Sequence, residues 1–132
     1  MQFRSSRPNA VDAPPSPPNS YTLIGDAGSY CSPTAGQNAL LDRCEFTGSS
    51  ATQTASVANC QAACNAVADC VAIGFKLNNN CGLHLSVTVS SSTCPTGSTP
   101  KTDWNNPVTS CNMVYGGLAN NGRSCYRRGC SG

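Results

Sequence analysis

Apolar residues alternate with small or charged ones through Val71-Ala72-Ile73-Gly74-Phe75-Lys76-Leu77, and the alternation resumes in Cys81-Gly82-Leu83-His84-Leu85-Ser86-Val87-Thr88-Val89. In both runs the apolar member occupies the odd positions. A period of two is what a half-buried strand requires. Between them Asn78-Asn79-Asn80 supplies residues that tolerate unusual backbone angles, so the pattern predicts an antiparallel hairpin. Its odd face carries Cys81, Leu83, Leu85 and Val87. His84 falls on the opposite face, where a solvated strand residue is expected.

Upstream the period changes. Val57, Cys60, Cys64 and Val67 recur at spacings of three and four, which places them on one side of a helix over residues 57–68. Ser56 is positioned to cap its first turn, and several alanines favour the helical backbone. Both thiols then point inward, one turn apart. Packing that face on the odd face of the hairpin brings Cys81 opposite Cys60 or Cys64.

The remaining segments are weaker. Tyr21-Thr22-Leu23-Ile24-Gly25 predicts a first strand, stopped by Asp26-Ala27-Gly28. Residues 28–55 read as loops pinned by Cys31 and Cys44, with Ala39-Leu40-Leu41 their one apolar patch. Residues 90–112 are polar, and Cys94 and Cys111 bracket a loop containing Trp104; a bridge between the two would close it. Met113-Val114-Tyr115 and Ser124-Cys125-Tyr126-Arg127 predict two short strands separated by Gly116-Gly117 and Asn120-Asn121-Gly122. The fold class is therefore α+β, small and disulfide-rich, with one main helix against an antiparallel sheet.

Composition divides the chain in two. Residues 1–20 end in Ala13-Pro14-Pro15-Ser16-Pro17-Pro18-Asn19-Ser20, and prolines at this density favour an extended polyproline arm without internal hydrogen bonds. Residues 21–132 form the domain. Ten cysteines in 132 residues suggest five bridges and an oxidising compartment, the cell exterior or secretory lumen. Sequence alone allows roughly 945 full pairings by the usual counting rule. The first residues, Met1-Gln2-Phe3-Arg4, lack the apolar run of a secretory leader, yet ten free thiols would be harder to explain than a missing leader. No stretch approaches the roughly 20 apolar residues of a membrane span.

Charge and spacing narrow the chemistry further. A formal charge of +2 with no basic stripe disfavours nucleic acid. Zinc is disfavoured too, because only Cys60 and Cys64 approach ligand spacing and His84 is the lone histidine. Asp12, Asp26, Asp42, Glu45, Asp69 and Asp103 lack calcium-loop spacing. No nucleophile elbow accompanies His84, so the chain is expected to be neither an enzyme nor dependent on a cofactor. Arg123, Arg127 and Arg128, interleaved with Tyr126, suit the sulfate or carboxylate groups of an acidic polysaccharide; the plainer reading is a solvated strand end. Trp104 would stack on a sugar or a neighbouring subunit, or cap a minor core. No standard Asn-x-Ser/Thr acceptor exists, and Asn79-Asn80-Cys81 is a weak substitute, lost if Cys81 is bridged.

The stretch Cys60-x3-Cys64-x5-Cys70-x4-Phe75-x5-Cys81-x-Leu83 resembles the core of PAN/apple domains, in which one helix is stapled to a small antiparallel sheet. Tyr21-Thr22-Leu23-Ile24-Gly25 and Cys125-Tyr126-Arg127 are similar to the paired terminal strands of such modules in algae and other protists. The resemblance implies bridges Cys60–Cys81, Cys64–Cys70 and Cys31–Cys125, and a module that binds proteins or carbohydrates. Cys44, Cys94, Cys111 and Cys130 exceed its usual set; the pairs left over are taken as Cys94–Cys111 and Cys44–Cys130. Pro14-Pro15-Ser16-Pro17-Pro18 resembles the motifs of hydroxyproline-rich wall glycoproteins, which implies covalent glycans on a stiff rod.

Two functions are expected from these readings. In one, the chain is an extracellular structural subunit at the cell surface or wall, its arm docking on the next copy to build a filament or matrix. In the other, it is a monomeric lectin-like adhesion module recognising an extracellular polysaccharide or matrix protein.

Overall fold

The hairpin predicted from the alternation organises the molecule. The computed structural model describes residues 19–33, 40–103, 107–108, 110 and 114–129. Residues 1–18, Trp104, Cys111 and Cys130 lie outside them, and so do the expectations for the proline arm, the Trp104 contact and the partners of those two cysteines. Among the described residues six strands make one antiparallel sheet: β1 (Tyr21–Ser32), β2 (Arg43–Thr47), β3 (Cys70–Lys76), β4 (Asn80–Leu85), β5 (Thr99–Lys101) and β6 (Tyr115–Arg128). Their spatial order is β1-β6-β3-β4-β2-β5. A 3-10 turn at Thr52–Thr54 leads into the one described α-helix, α1 (Val57–Asn65), and the fold is α+β.

Helix α1 starts where the sequence places it, with Ser56 Oγ accepting the Asn59 N–H at 3.0 Å. It stops at Asn65, three residues before the expected end. The Val67 N–H turns back to the Cys64 carbonyl, the Cys70 N–H bonds the Val67 carbonyl, both at 3.0 Å, and the Cys64–Cys70 bridge closes the same short loop. Cys60 and Cys64 face the sheet and are buried. Beneath them lie Cys44, Phe46, Ile73, Phe75, Cys81, Leu83 and Leu85, the apolar core of the helix face.

Strand β4 ends at Leu85, earlier than the pattern predicts, because its partner β3 begins at Cys70; the Ser86 N–H makes one last in-register bond, to the Asp69 carbonyl at 2.8 Å. Val87 is consequently exposed, whereas Val89 re-enters the core. A bulge also alters β3. Cys70 pairs with Leu85 but Ala72 pairs with His84, so Val71 is the extra residue and joins the apolar cluster of the second face.

The largest departure concerns the terminal strands. Residues expected as loops and as three short strands form one long ribbon, β1 paired with β6 along most of their length. Gly28 and Gly122, read as stop or turn signals, are irregularities within strands, and with Gly25 they have positive φ, a backbone that residues with a Cβ rarely adopt. They let the ribbon fold back. Cys31 is registered with Gly116 and Cys125 with Ile24, yet Cys31 and Cys125 are bridged with Cα atoms 5.0 Å apart. The far half of the ribbon therefore lies over the second face of the sheet, and the backbones of Gly25 and Gly116 touch so closely that a Cβ on either would overlap the other.

Four bridges are present among the described residues. Cys60–Cys81 and Cys64–Cys70 tie the helix face, and Cys31–Cys125 ties the ribbon down; these are the pairs that the resemblance implies. The fourth joins Cys44 to Cys94, which corrects Cys94–Cys111 and Cys44–Cys130. Strand β5 explains it: Pro100 pairs with Cys44, so the turn leading into β5 carries Cys94 across the helix face beside Cys44.

Candidate functional site

On the face away from α1, the cross-strand register aligns Glu45, Gly82, Gly74, Cys125 and Ile24 in one row. Two adjacent glycines make a shallow floor there. A Cβ at Gly82 would meet Arg43 Cδ at 2.5 Å, and one at Gly74 would meet His84 Nε2 at 3.5 Å and Cys31 Sγ at 3.9 Å. The arginine stem, the imidazole and the disulfide thus occupy the space that side chains would fill.

A buried polar cluster results. Glu45 Oε2 accepts from Arg43 Nε at 2.8 Å and Asn80 Nδ2 at 2.6 Å, and lies 2.7 Å from Arg43 Nη2. Burial works to raise the Glu45 carboxyl, but the Asn80 hydrogen bond and the charges of Arg43 and Arg123 outweigh it and hold the group below the usual carboxylate range. His84 is 2 % exposed, which corrects the expectation of a solvated residue; the folded-back ribbon covers the face that local alternation left open. Its Nδ1 lies 3.0 Å from the Asp42 carbonyl, so Nδ1 carries the proton and the neutral ring keeps Nε2 bare. Burial lowers the pKa of His84 to about 4, with Arg43 and Arg123 adding to the effect. Burial and the nearby Arg43 charge likewise lower Arg123. The Tyr30 hydroxyl and Asn80 Oδ1 are buried beside this cluster without a hydrogen-bond partner among the described residues.

The alternation of Arg43-Cys44-Glu45-Phe46-Thr47 was the available sign of this arrangement, charges on one face and apolar groups on the other. A segment read as loop concealed it.

Period two also separates the arginines that sequence proximity grouped. Cys125, with Arg127 beyond it, belongs to the second face, whereas Tyr126 packs on the helix-face core. Arg127 donates through Nε and Nη2 to the Val114 carbonyl at 2.9 and 2.7 Å, and its guanidinium lies over the Tyr115 ring, 5.7 Å from the centroid. Arg128 is buried under the end of α1. Its Nη1 lies 3.0, 3.0 and 3.1 Å from the carbonyls of Cys64, Val67 and Cys70, and its Nη2 lies 3.1 Å from Asn19 Oδ1. A cation there suits the negative end of the helix and adds a charged donor to carbonyls of which two, Cys64 and Val67, also accept a backbone N–H. Arg123, Tyr126, Arg127 and Arg128 therefore do not form one patch.

The two edges of the sheet differ as well. Strand β5 has three residues, with Pro100 at its centre and Lys101 at its end, features that discourage further strand pairing. At the other edge β1 pairs only with β6 among the described residues. Thr22, Leu23 and Gly25 are exposed there, and Leu23 is 46 % exposed. Tyr21 beside them is anchored, its hydroxyl against Asn65 Oδ1 and 3.0 Å from the Gln61 carbonyl oxygen. No described helix is long and apolar enough to cross a membrane. The chain matches none of the family models, curated proteins or solved structures with which it was compared.

Proposed function

We propose that this chain is a non-catalytic structural subunit of an extracellular assembly, joined to copies of itself through its proline-rich arm. The inequality of the sheet edges supports this reading most directly: the guarded edge is β5, and the open edge, β1, begins where the arm ends. Exposed strand edges are sites at which other chains add. Four disulfides among the described residues suit an oxidising exterior, and the resemblance to PAN/apple modules, with its helix stapled to a sheet, fits an extracellular binding unit. Hydroxylated and glycosylated prolines would stiffen the arm.

Light scattering over a range of concentrations tests the proposal. The full chain is expected to grow beyond the monomer mass, and removal of residues 1–18 is expected to return it to the monomer. A full chain that remains monomeric throughout would leave the lectin-like module, with an acidic polysaccharide or matrix protein as partner, as the better account.

A further inference from the structure

We infer that the outer side of β1 at residues 21–23 is the acceptor for the arm of another copy, and that residues 9–13 are the segment that pairs with it. This inference rests on the assembly reading above and assigns the docking site within it.

The acceptor follows from the register. The Gly129 N–H donates to the Ser20 carbonyl at 2.9 Å, which makes Ser20 and Gly129 a hydrogen-bonded pair. In an antiparallel ladder such pairs alternate with unbonded ones. Thr22 with Arg127 and Ile24 with Cys125 are then the next bonded pairs. Tyr21 and Leu23 turn their N–H and C=O groups away from β6. Beyond residue 24 the edge is no longer straight, because the ribbon turns at Gly25 and folds back. The usable template is thus short, the outward groups of Tyr21 and Leu23. Leu23 shares the helix face with Tyr126, its partner in the register, and adds half-exposed apolar surface for an incoming strand to cover.

The donor follows from where prolines are and are not. A strand added to an edge needs N–H groups. Pro14-Pro15-Ser16-Pro17-Pro18 offers only one, whereas Asn9-Ala10-Val11-Asp12-Ala13 offers five, bounded by Pro8 and Pro14. Five residues is an ordinary strand length, and Val11, the one β-branched residue of the arm, lies at its centre. The same prolines direct the segment to a neighbour. Folding back on its own β1 would need a tight reversal of two to five residues, but five residues of polyproline spacer extend about 15 Å. Each copy then offers a donor at one place and an acceptor at another, a head-to-tail contact that propagates.

Leu23→Pro in the full chain is the decisive variant. It removes an N–H that points outward while the bonded groups of Ser20, Thr22 and Ile24 remain, and proline is compatible with an edge strand on that side. The expected result is an unchanged thermal melt and at least a tenfold rise in the concentration needed for assembly by light scattering. Val11→Pro should match it. On assembly of the unmodified chain, the Leu23 amide should gain hydrogen-exchange protection while the Thr22 amide, already bonded, changes little. Should Leu23→Pro fail to fold, Leu23→Lys serves in its place, since a lysine on an edge also opposes strand addition.

The outcomes separate the two proposals. A full chain that never exceeds monomer mass overturns both. Assembly that depends on residues 1–18 but survives Leu23→Pro and Leu23→Lys keeps the assembly reading and overturns this docking site. Assembly abolished by Leu23→Pro but retained in Val11→Pro overturns the assigned donor and indicates pairing between two β1 edges.

Discussion

The two faces of the sheet are held by different physics. The helix face is a hydrocarbon layer crossed by three disulfides, and none of its core residues titrates in the physiological range. Among the described residues the second face has one disulfide, a smaller apolar cluster and a buried Arg43–Glu45–Asn80–His84 group on a glycine floor. The first should therefore be insensitive to pH in that range. The second should depend on proton occupancy at His84 and Glu45 and on the Cys31–Cys125 bridge that ties the ribbon over it.

Breaking that bridge should have the largest effect. Cys31 and Cys125 are 94 residues apart, and in the loop-entropy account a closure of that length contributes about 4 to 5 kcal/mol, against about 3 kcal/mol for the 21-residue span of Cys60–Cys81. Urea unfolding of Cys31→Ala with Cys125→Ala, beside Cys60→Ala with Cys81→Ala, checks the order. Equal losses would mean that the ribbon is held on the second face by something other than its disulfide.

Acid should distinguish the faces next. The folded His84 titrates near 4, below the ordinary value near 6.5, so as pH falls the unfolded chain takes up its proton first. Stability therefore declines from about pH 6.5 downward, and the loss reaches about 3 kcal/mol by pH 4. Glu45 acts in the same direction: its depressed pKa contributes stability above its unfolded value that is lost as pH falls through the folded one. Denaturant titrations from pH 7 to 4 should show this slope in the native sequence, a flatter one in His84→Gln, and an undiminished one in the variant lacking Cys60–Cys81.

The glycine floor offers two smaller tests. Gly82→Ala forces a methyl into Arg43 Cδ, whose guanidinium is fixed by Glu45, and overpacking of this kind costs about 2 kcal/mol. Gly74→Ala meets its neighbours at ordinary contact distance, and a change within about 0.5 kcal/mol is expected. Thermal melts of the pair would show whether crowding, rather than loss of glycine itself, governs this face.

Sequence legibility follows the same division. The helix face was readable because its signals are local: the Ser56 cap, thiols one helical turn apart, and apolar odd positions in β3 and β4. The second face was not. Nothing within ten residues of His84 announces that a ribbon more than 30 residues away in either direction will cover it, so alternation assigned it to solvent. Gly28 and Gly122 were read as stops because a glycine that ends a strand and one that bends it look alike in one dimension. Arg128 was grouped with Arg123 by proximity along the chain, whereas its partners are carbonyls near residues 64–70.

The 94-residue span of the Cys31–Cys125 bridge has a further consequence for biosynthesis. Of the eight cysteines bridged among the described residues, Cys31 leaves the ribosome first and acquires its partner last, after Cys44 and Cys94, Cys60 and Cys81, and Cys64 and Cys70 have all emerged. Through that interval its thiol is chemically competent toward every later one, so correct maturation depends on an isomerase or on rapid closure of the inner pairs.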